Sequence, residues 1–556
     1  MKRWGPYIAI AGVTAFVAWL AFVALAPDAV YSGDFGVKFV QAKELYDHHF
    51  STLRIDYRGA FLDPGKKFSP LRPPFVFVTS AGMQAIFPPA AAVLQAIFVP
   101  LGGMIGMRIL SVIAVAVALW ATWRLAPRGW AGATLPLVTG LATPLWFYGV
   151  IESEHAPAIA LGAIAFVIAL LPRDSDMDWR ALFAGVALGA AAAVRDESIL
   201  LMPGLLLACW AASRSWRMVA FAVAGCALTL GVAAFVEVWW FNRPLAAHLR
   251  HAVHLLQTAL RLTSKPNLEL PELHPLTLKE RYAFVGQYWL FGTDRDRLIV
   301  TLTALLAAGA AGRLFLKSAW PLLPAFAVLI VCSATDTFYL VREPKWVAGL
   351  FRLSPFLVFA IVPPADGRDR WLWRVALFSL VTYVLLAFAG VDTSGGKSLG
   401  PRLLLPLLPL LVASAWRNIA DHISSPRSAE RLVGAAGLGL TAIAFVIHAG
   451  STIPAYVARS IDDASAMRTI KDSAERVIVA DDMYTAQQLL PMYYARVILL
   501  ADSPQAGVDL GEALNREHVG GAVLVSRRPD AVVGLAPYRM AEEVQRGRFR
   551  IQYWRR

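Results

Sequence analysis

The sequence predicts an all-α polytopic membrane protein of about 13 transmembrane helices, followed by a small C-terminal soluble α/β domain. Three observations carry that expectation. The 556 residues are 57% hydrophobic and only 16% charged. Long, nearly uncharged apolar runs recur as far as Gly450. A bilayer core of about 30 Å takes roughly 20 apolar residues as a helix, and lipid offers the backbone no other partner. Beyond Gly450 the composition changes to short β-branched runs separated by polar segments.

The first span, Pro6–Ala26, follows Met1-Lys2-Arg3. Its apolar stretch exceeds a usual signal-peptide core, so it reads as an uncleaved anchor, with cleavage after Ala24-Leu25-Ala26 as the alternative. Basic connections then recur: Arg124–Arg128, Arg173–Arg180, Arg214–Arg217, Arg313–Lys317, Arg368–Arg374 and Arg417–Arg431. The positive-inside rule assigns that side to the cytoplasm. The N-terminus is then cytoplasmic. The loops 31–72 and 242–296 and the C-terminal domain are extracytoplasmic, in a bacterial inner membrane.

In the first outer loop, Phe35, Phe39, Ala42 and Leu45 recur at helical spacing opposite Lys38, Gln41 and Glu44, as in an amphipathic interfacial helix. Pro73–Pro100 is apolar but interrupted by prolines, which break helices. It is expected to lie at the outer interface as helices or to enter the membrane as a re-entrant pair. Residues 1–450 form the membrane domain. Residues 451–556 form the α/β domain, with strands at Val477–Ala480, Val497–Leu500, Ala522–Val525 and Phe549–Trp554.

The net charge of +13 is carried mostly by these short connections rather than by a basic stripe with interleaved aromatics. Nucleic acid is therefore excluded as a partner, and membrane lipids are implied. Cys209, Cys226 and Cys332 fall inside apolar runs and show no disulfide or metal spacing.

The chemistry is sought where polar residues meet the ends of apolar spans, because such placements are costly. Asp34 has two readings: a cap for the helix that begins at Phe35, or a general base kept ionised by Lys38 one turn on. Arg58 and Arg72 in the same loop either snorkel at the interface or bind a phosphate. Glu154 and His155 end a later span. They are candidates for sugar, acceptor or phosphate contacts, with a divalent metal as the alternative. Arg195, in Arg195-Asp196-Glu197, is either part of a polar turn or a phosphate ligand. Lys397 and Arg402 lie in a Gly-rich outer loop without the strand and first glycine of a nucleotide loop. That loop is read as presenting both cations to a lipid phosphate.

In order, these segments resemble the GT-C superfamily of integral-membrane glycosyltransferases, which contains protein O-mannosyltransferases and aminoarabinose transferases. Asp34 matches by position the acidic residue of the first external loop, and Glu154 matches the second acid. Ala192–Pro203 looks like the Arg-x-Glu segment followed by leucines. Gly400-Pro401-Arg402 looks like the Gly-Pro-Arg segment, with Leu403 in place of the usual aromatic. Phe35 stands where the O-mannosyltransferases carry a second acid.

The resemblance implies a polyprenyl-phosphate sugar donor and a glycan, lipid or protein acceptor. Asp34 would be the base. Lys38, Arg195, Lys397 and Arg402 would stabilise the leaving phosphate, with inversion at the anomeric carbon and no covalent enzyme intermediate; the cofactor reading is none, with a divalent metal as the alternative. Two rivals remain. A lipid-linked glycan or polysaccharide transporter calls for midplane charges and repeats. An assembly subunit of a cell-envelope complex would use the C-terminal domain to bind a partner.

Overall fold

A computed structural model describes residues 4–27, 29–73, 75–79, 82–125, 129–170, 179–243, 285–292, 296–342, 349–364, 371–390, 399–528 and 533–556. The chain is a multi-pass helical membrane protein with a small C-terminal sheet domain. Seven helices among the described residues are long and apolar enough to cross a membrane: Gly5–Ala24, Met104–Arg124, Asp196–Ser213, Trp216–Trp240, Trp320–Thr337, Arg402–Ile423 and Ser428–Lys471. Shorter apolar helices, among them His155–Leu170 and Trp179–Val194, pack between them.

Small residues let two of these helices approach closely. A Cβ on Gly185 would lie 2.0 Å from the Ala222 carbonyl, and one on Gly225 would lie 2.1 Å from that of Leu182. Glycine therefore sets the contact between Trp179–Val194 and Trp216–Phe235. The apolar run 132–150 is broken into Trp130–Leu141 and Leu145–Val150 at Pro144, which lacks an N–H to continue the ladder.

The segment expected as interfacial helices, Pro73–Pro100, is different. Val76–Thr79 (β1) and Gly82–Ala85 (β2) form an antiparallel hairpin, with Val76 opposite Ala85 and Val78 opposite Met83. Helix Pro89–Phe98 follows. Val76, Phe77, Val78 and Thr79 are β-branched or aromatic residues that suit a pleat, and Gly82 turns the chain at φ +112°.

The first-loop helix, Gly33–Asp47, buries twelve of its fifteen residues, including Lys38, Gln41 and Glu44. It does not lie on a lipid surface with a wet polar face. The C-terminal domain covers it: the Gln487 carbonyl would sit 2.1 Å from a Cβ on Gly36.

That domain is a five-stranded sheet of β3 (Val477–Ala480), β4 (Val497–Leu500), β5 (Gly521–Ser526), β6 (Arg539–Arg546) and β7 (Phe549–Arg555) in the order β4-β3-β5-β7-β6. β3 runs parallel to β4 and β5, while β7 is antiparallel to β5 and β6. The exposed, polar edge strand β6 is an addition to the strands read from sequence. Val37, Val40, Ile55, Leu62, Leu71 and Met83 belong to the same hydrophobic core as the sheet. The first outer loop and the C-terminal domain thus fold around one core. A rod from Ser428 through Lys471, passing the sequence-read boundary at 450, carries the domain up from the membrane.

Candidate active site

Three pieces of local structure build the site. Helix Gly33–Asp47 starts after Ser32, whose hydroxyl donates to the Asp34 carboxylate. One turn on, Lys38 Nζ reaches Asp34 Oδ2 at 3.5 Å. The broken helix ending at Val150 delivers Glu152-Ser153-Glu154 to the start of helix His155–Leu170. The Trp179–Val194 helix ends at Arg195, after which the chain tightens into a 3₁₀ stretch over Asp196–Leu201.

These pieces meet as a buried chain of charges. Lys38 Nζ lies 2.8 Å from Glu154 Oε2. Arg195 Nη1 lies 2.8 Å from Glu154 Oε1, and its Nη2 lies 2.5 Å from Glu197 Oε1. Arg402 approaches from the other side, its Nη1 3.4 Å from Asp34 Oδ2. Three carboxylates and three cations alternate, so the cluster is close to neutral. Lys38 also sits 4.6 Å from the centroid of the Phe87 ring at the end of the hairpin segment.

Burial works to raise the Asp34 pKa, but Lys38, Arg402 and the Ser32 hydroxyl outweigh it. The carboxyl is held below its ordinary value and is ionised at neutral pH.

His155 is buried, with Tyr148 stacked on its ring at 4.7 Å. Tyr148 donates to the Leu399 carbonyl at 3.0 Å, beside the Arg402 segment. Neither ring nitrogen of His155 has a hydrogen-bond partner among the described residues, and the Nε of Arg402 has none either. A divalent ion on Glu154 and His155 does not suit this donor set. The Glu154 oxygens already face Lys38 and Arg195, and a metal would compete with two cations for them.

Asp34, Lys38, Glu154, His155, Arg195 and Arg402 therefore come together. Arg58 and Arg72 do not join them. Arg58 lies 5.2 Å from the Tyr494 ring centroid and lines a cavity of about 960 Å³ at the far end of the sheet, with Arg476 and Arg496. Arg72 pairs with Asp502 in the loop after β4. Lys397 lies outside the described residues.

Glu197, read from the sequence as part of the Arg195-Asp196-Glu197 trio, anchors Arg195. One contributor escapes the sequence reading. Arg108, inside the Met104–Arg124 span, pairs with Glu152 and donates to the carbonyls of Ala21, Ala26 and Ala29, tying the first span to the site's floor. A lone arginine in a membrane span is itself a signal that could have found it.

The chain shares its fold with a solved integral-membrane protein. ArnT from Cupriavidus metallidurans bound to undecaprenyl phosphate is similar to the chain with a TM-score of 0.50 at 13% identity, over 99% of this chain and 98% of that one. The apo ArnT structure from the same organism matches at a TM-score of 0.40, 16% identity and 98% and 97% coverage. The archaeal oligosaccharyltransferase AglB from Archaeoglobus fulgidus, in complex with an inhibitory peptide and a dolichol-phosphate, matches at 0.44 and 10% identity, over 93% of this chain and 69% of that one. No family model matches the sequence, and no curated protein does.

Proposed function

We propose that the chain is a glycosyltransferase that moves a sugar from a polyprenyl-phosphate donor to an acceptor hydroxyl on the extracytoplasmic face, with inversion. The observation that carries this reading is the ionised, buried Asp34 carboxylate facing Arg402, an arginine with donors to spare. The shared fold with the ArnT structure that holds undecaprenyl phosphate supports the same donor class.

In the reaction, Asp34 takes the proton of the acceptor hydroxyl as its oxygen bonds to the anomeric carbon. The bond from that carbon to the phosphate oxygen breaks, and its electron pair leaves with the polyprenyl phosphate. Arg402 and Lys38 meet the charge that grows on that phosphate. The unpartnered His155 imidazole supports a further contact to a phosphate or sugar oxygen. Glu154, paired with Lys38 and Arg195, sets the position of both cations. Arg195 serves Glu154 and Glu197 and keeps its Nε for a ligand.

The test is Asp34→Asn, purified and supplied with undecaprenyl-phosphate sugars and a cell-envelope acceptor fraction. The structure does not bear out the cap reading of Asp34, since Ser32 holds the cap position and the carboxylate accepts no backbone N–H among the described residues; Asn keeps the shape of Asp and an oxygen for Ser32 and Lys38, so the protein should insert and fold. Transfer should fall by about 10²–10⁴-fold, the usual worth of a general base. Near-normal transfer would reduce Asp34 to a structural partner of Lys38 and Arg402 and remove the mechanism.

A further inference from the structure

A second set of charged groups lies on the C-terminal domain, where the sheet changes direction. From β3 the chain passes to β4 on one side and then returns to β5 on the other. In open sheets with parallel strands, the crevice at the carboxyl ends of two such strands is the usual ligand position. Here those ends carry Asp481-Asp482 and Ser526-Arg527-Arg528.

Register brings in a further arginine. Ser526 at the end of β5 pairs with Arg550 near the start of β7, so the β6–β7 turn with Arg548 stands beside Arg527. Gly547 holds that turn at φ +55° and packs against helix Ile453–Lys471, where a Cβ would meet Asp462 at 2.9 Å. A side chain there would meet both strain and a neighbour.

The two guanidinium groups converge on one amide. Arg527 Nη1 and Arg548 Nη2 donate to Gln488 Oε1 at 3.2 and 3.3 Å. Arg548 also grips Asp463 through Nε and Nη2 at 2.8 and 2.7 Å, and Arg527 Nε donates to Thr485 Oγ1 at 2.8 Å. Asp482 is largely spent as a helix cap on Tyr484 and Thr485, leaving Arg527 at 3.5 Å. The Nη1 of Arg548 has no partner among the described residues, and its side chain is 31% exposed. Asp463 on Arg548 and Asp482 beside Arg527 answer part of the repulsion between the two guanidinium groups, and a further anion would join them at the outward Nη1 of Arg548. Burial, joined by Arg548 against the pull of Asp482, lowers the Arg527 pKa from its ordinary value.

This pair stands close to the site. Gln488 Nε2 donates to the carbonyls of Val30 and Tyr31 at 3.3 and 3.2 Å, just before Ser32 and Asp34. Arg459 donates to Tyr31 and lies 4.5 Å from its ring centroid. The donor-side cations lie elsewhere, Lys38 within helix Gly33–Asp47 and Arg402 at the start of the span Arg402–Ile423.

We propose that Arg527 and Arg548, clamped side by side on Gln488 at the carboxyl ends of β3 and β5, bind an oxyanion of the acceptor, a phosphate or a carboxylate. The assignment to an acceptor rests on the glycosyltransferase reading above. The planar fork of arginine matches either group through paired hydrogen bonds. On this account the C-terminal domain selects an acidic acceptor and presents its hydroxyl beside Asp34.

The test is calorimetric titration of the purified full-length protein, in neutral detergent at fixed ionic strength, with inorganic phosphate and separately with glucuronate. A saturable phosphate event should survive Arg402→Gln and weaken at least tenfold in Arg527→Gln and in Arg548→Gln. Competition by glucuronate at that event assigns a carboxylate acceptor, and failure to compete assigns a phosphate one. Where Arg548→Gln does not fold, because Asp463 loses its partner, Arg527→Gln alone decides. No such event, or one that persists in folded Arg527→Gln, overturns the proposal. An event lost only in Arg402→Gln supports the donor reading and also overturns this one.

Discussion

Lys38 is the hinge of the charge chain, and its removal has a calculable cost. Its Nζ lies 2.8 Å from Glu154 and 3.5 Å from Asp34, with its side chain 2% exposed. At an effective dielectric near 20 the two attractions are worth about 6 and about 5 kcal/mol gross. Burying the ammonium cancels much of that. Removing one partner of a buried pair nonetheless costs about 3–5 kcal/mol, because the other charge is left behind. Glu154 keeps Arg195 at 2.8 Å and Asp34 keeps Arg402 at 3.4 Å, so Lys38→Met should fall near the lower end.

Glu154→Gln should cost a similar amount. The double variant removes both members of the pair, so it should lose less than the sum, with a coupling of about 1–3 kcal/mol. The assay is the thermal unfolding midpoint of the full-length protein in detergent for the four members of the cycle. Its pH dependence carries a second sign. Asp34 has a depressed pKa in the folded state, so its contribution is present above the ordinary carboxylate value and lost as pH falls through its folded pKa. Without Lys38, burial is less opposed and that pKa rises. The gap between wild type and Lys38→Met should therefore be widest near neutral pH and should narrow in acid. Strictly additive midpoints, or a gap independent of pH, would refute a coupled network.

Three further outcomes are expected. Gly36→Ala would favour an isolated helix by about 1 kcal/mol. Here its Cβ meets the Gln487 carbonyl at 2.1 Å, so the protein should instead lose about 1–3 kcal/mol and become more sensitive to protease within 451–556; a stabilised variant would show that the loop and domain do not dock as described. Arg402→Gln removes a cation from Asp34 and should move the acid limb of the pH–rate profile to higher pH, whereas an unshifted limb would uncouple the two groups. Cysteines introduced at exposed Ser51 and Gln505 should react with an impermeant reagent in spheroplasts, and protection of both would invert the orientation.

The membrane helices are legible because lipid demands long apolar runs, and the site's acids and bases are legible because they break them. Asp34, Glu154, Arg195 and Arg402 are separated by up to 368 residues, yet each is a charge at the end of an apolar segment. What the sequence hides is what covers what. Helix Gly33–Asp47 reads as amphipathic because its polar face is polar; nothing local says that Gln487 and Leu490 close over it. The hairpin at 76–85 hides among prolines in a run of general hydrophobicity, where period-2 alternation is too short to stand out. Strand β6 has no buried face to give it a pattern. Arg58 and Arg72 share a loop with Asp34, but the shared core turns that loop toward the sheet.

That shared core bears on how the proposed reaction would be timed. The resting cluster is balanced, so a polyprenyl-phosphate sugar arrives with one negative charge too many and must displace a link. Lys38–Glu154 and Arg195–Glu154 are 2.8 Å long and buried, whereas Arg402–Asp34 is 3.4 Å long and its arginine is 27% exposed. Lys38–Asp34 is as long, at 3.5 Å, but its lysine is 2% exposed, so the link whose cation reaches water costs least to break. Breaking it would give Arg402 to the phosphate and withdraw a cation from Asp34, whose basicity then rises. A carboxylate too acidic to serve as a strong base at rest would become a better one only when the donor is in place. Helix Gly33–Asp47 is packed between the membrane helices and the sheet, so it has little freedom to follow Arg402. In the proposed reaction this asymmetry, a packed carboxylate facing a part-exposed guanidinium, would let donor binding act on the base.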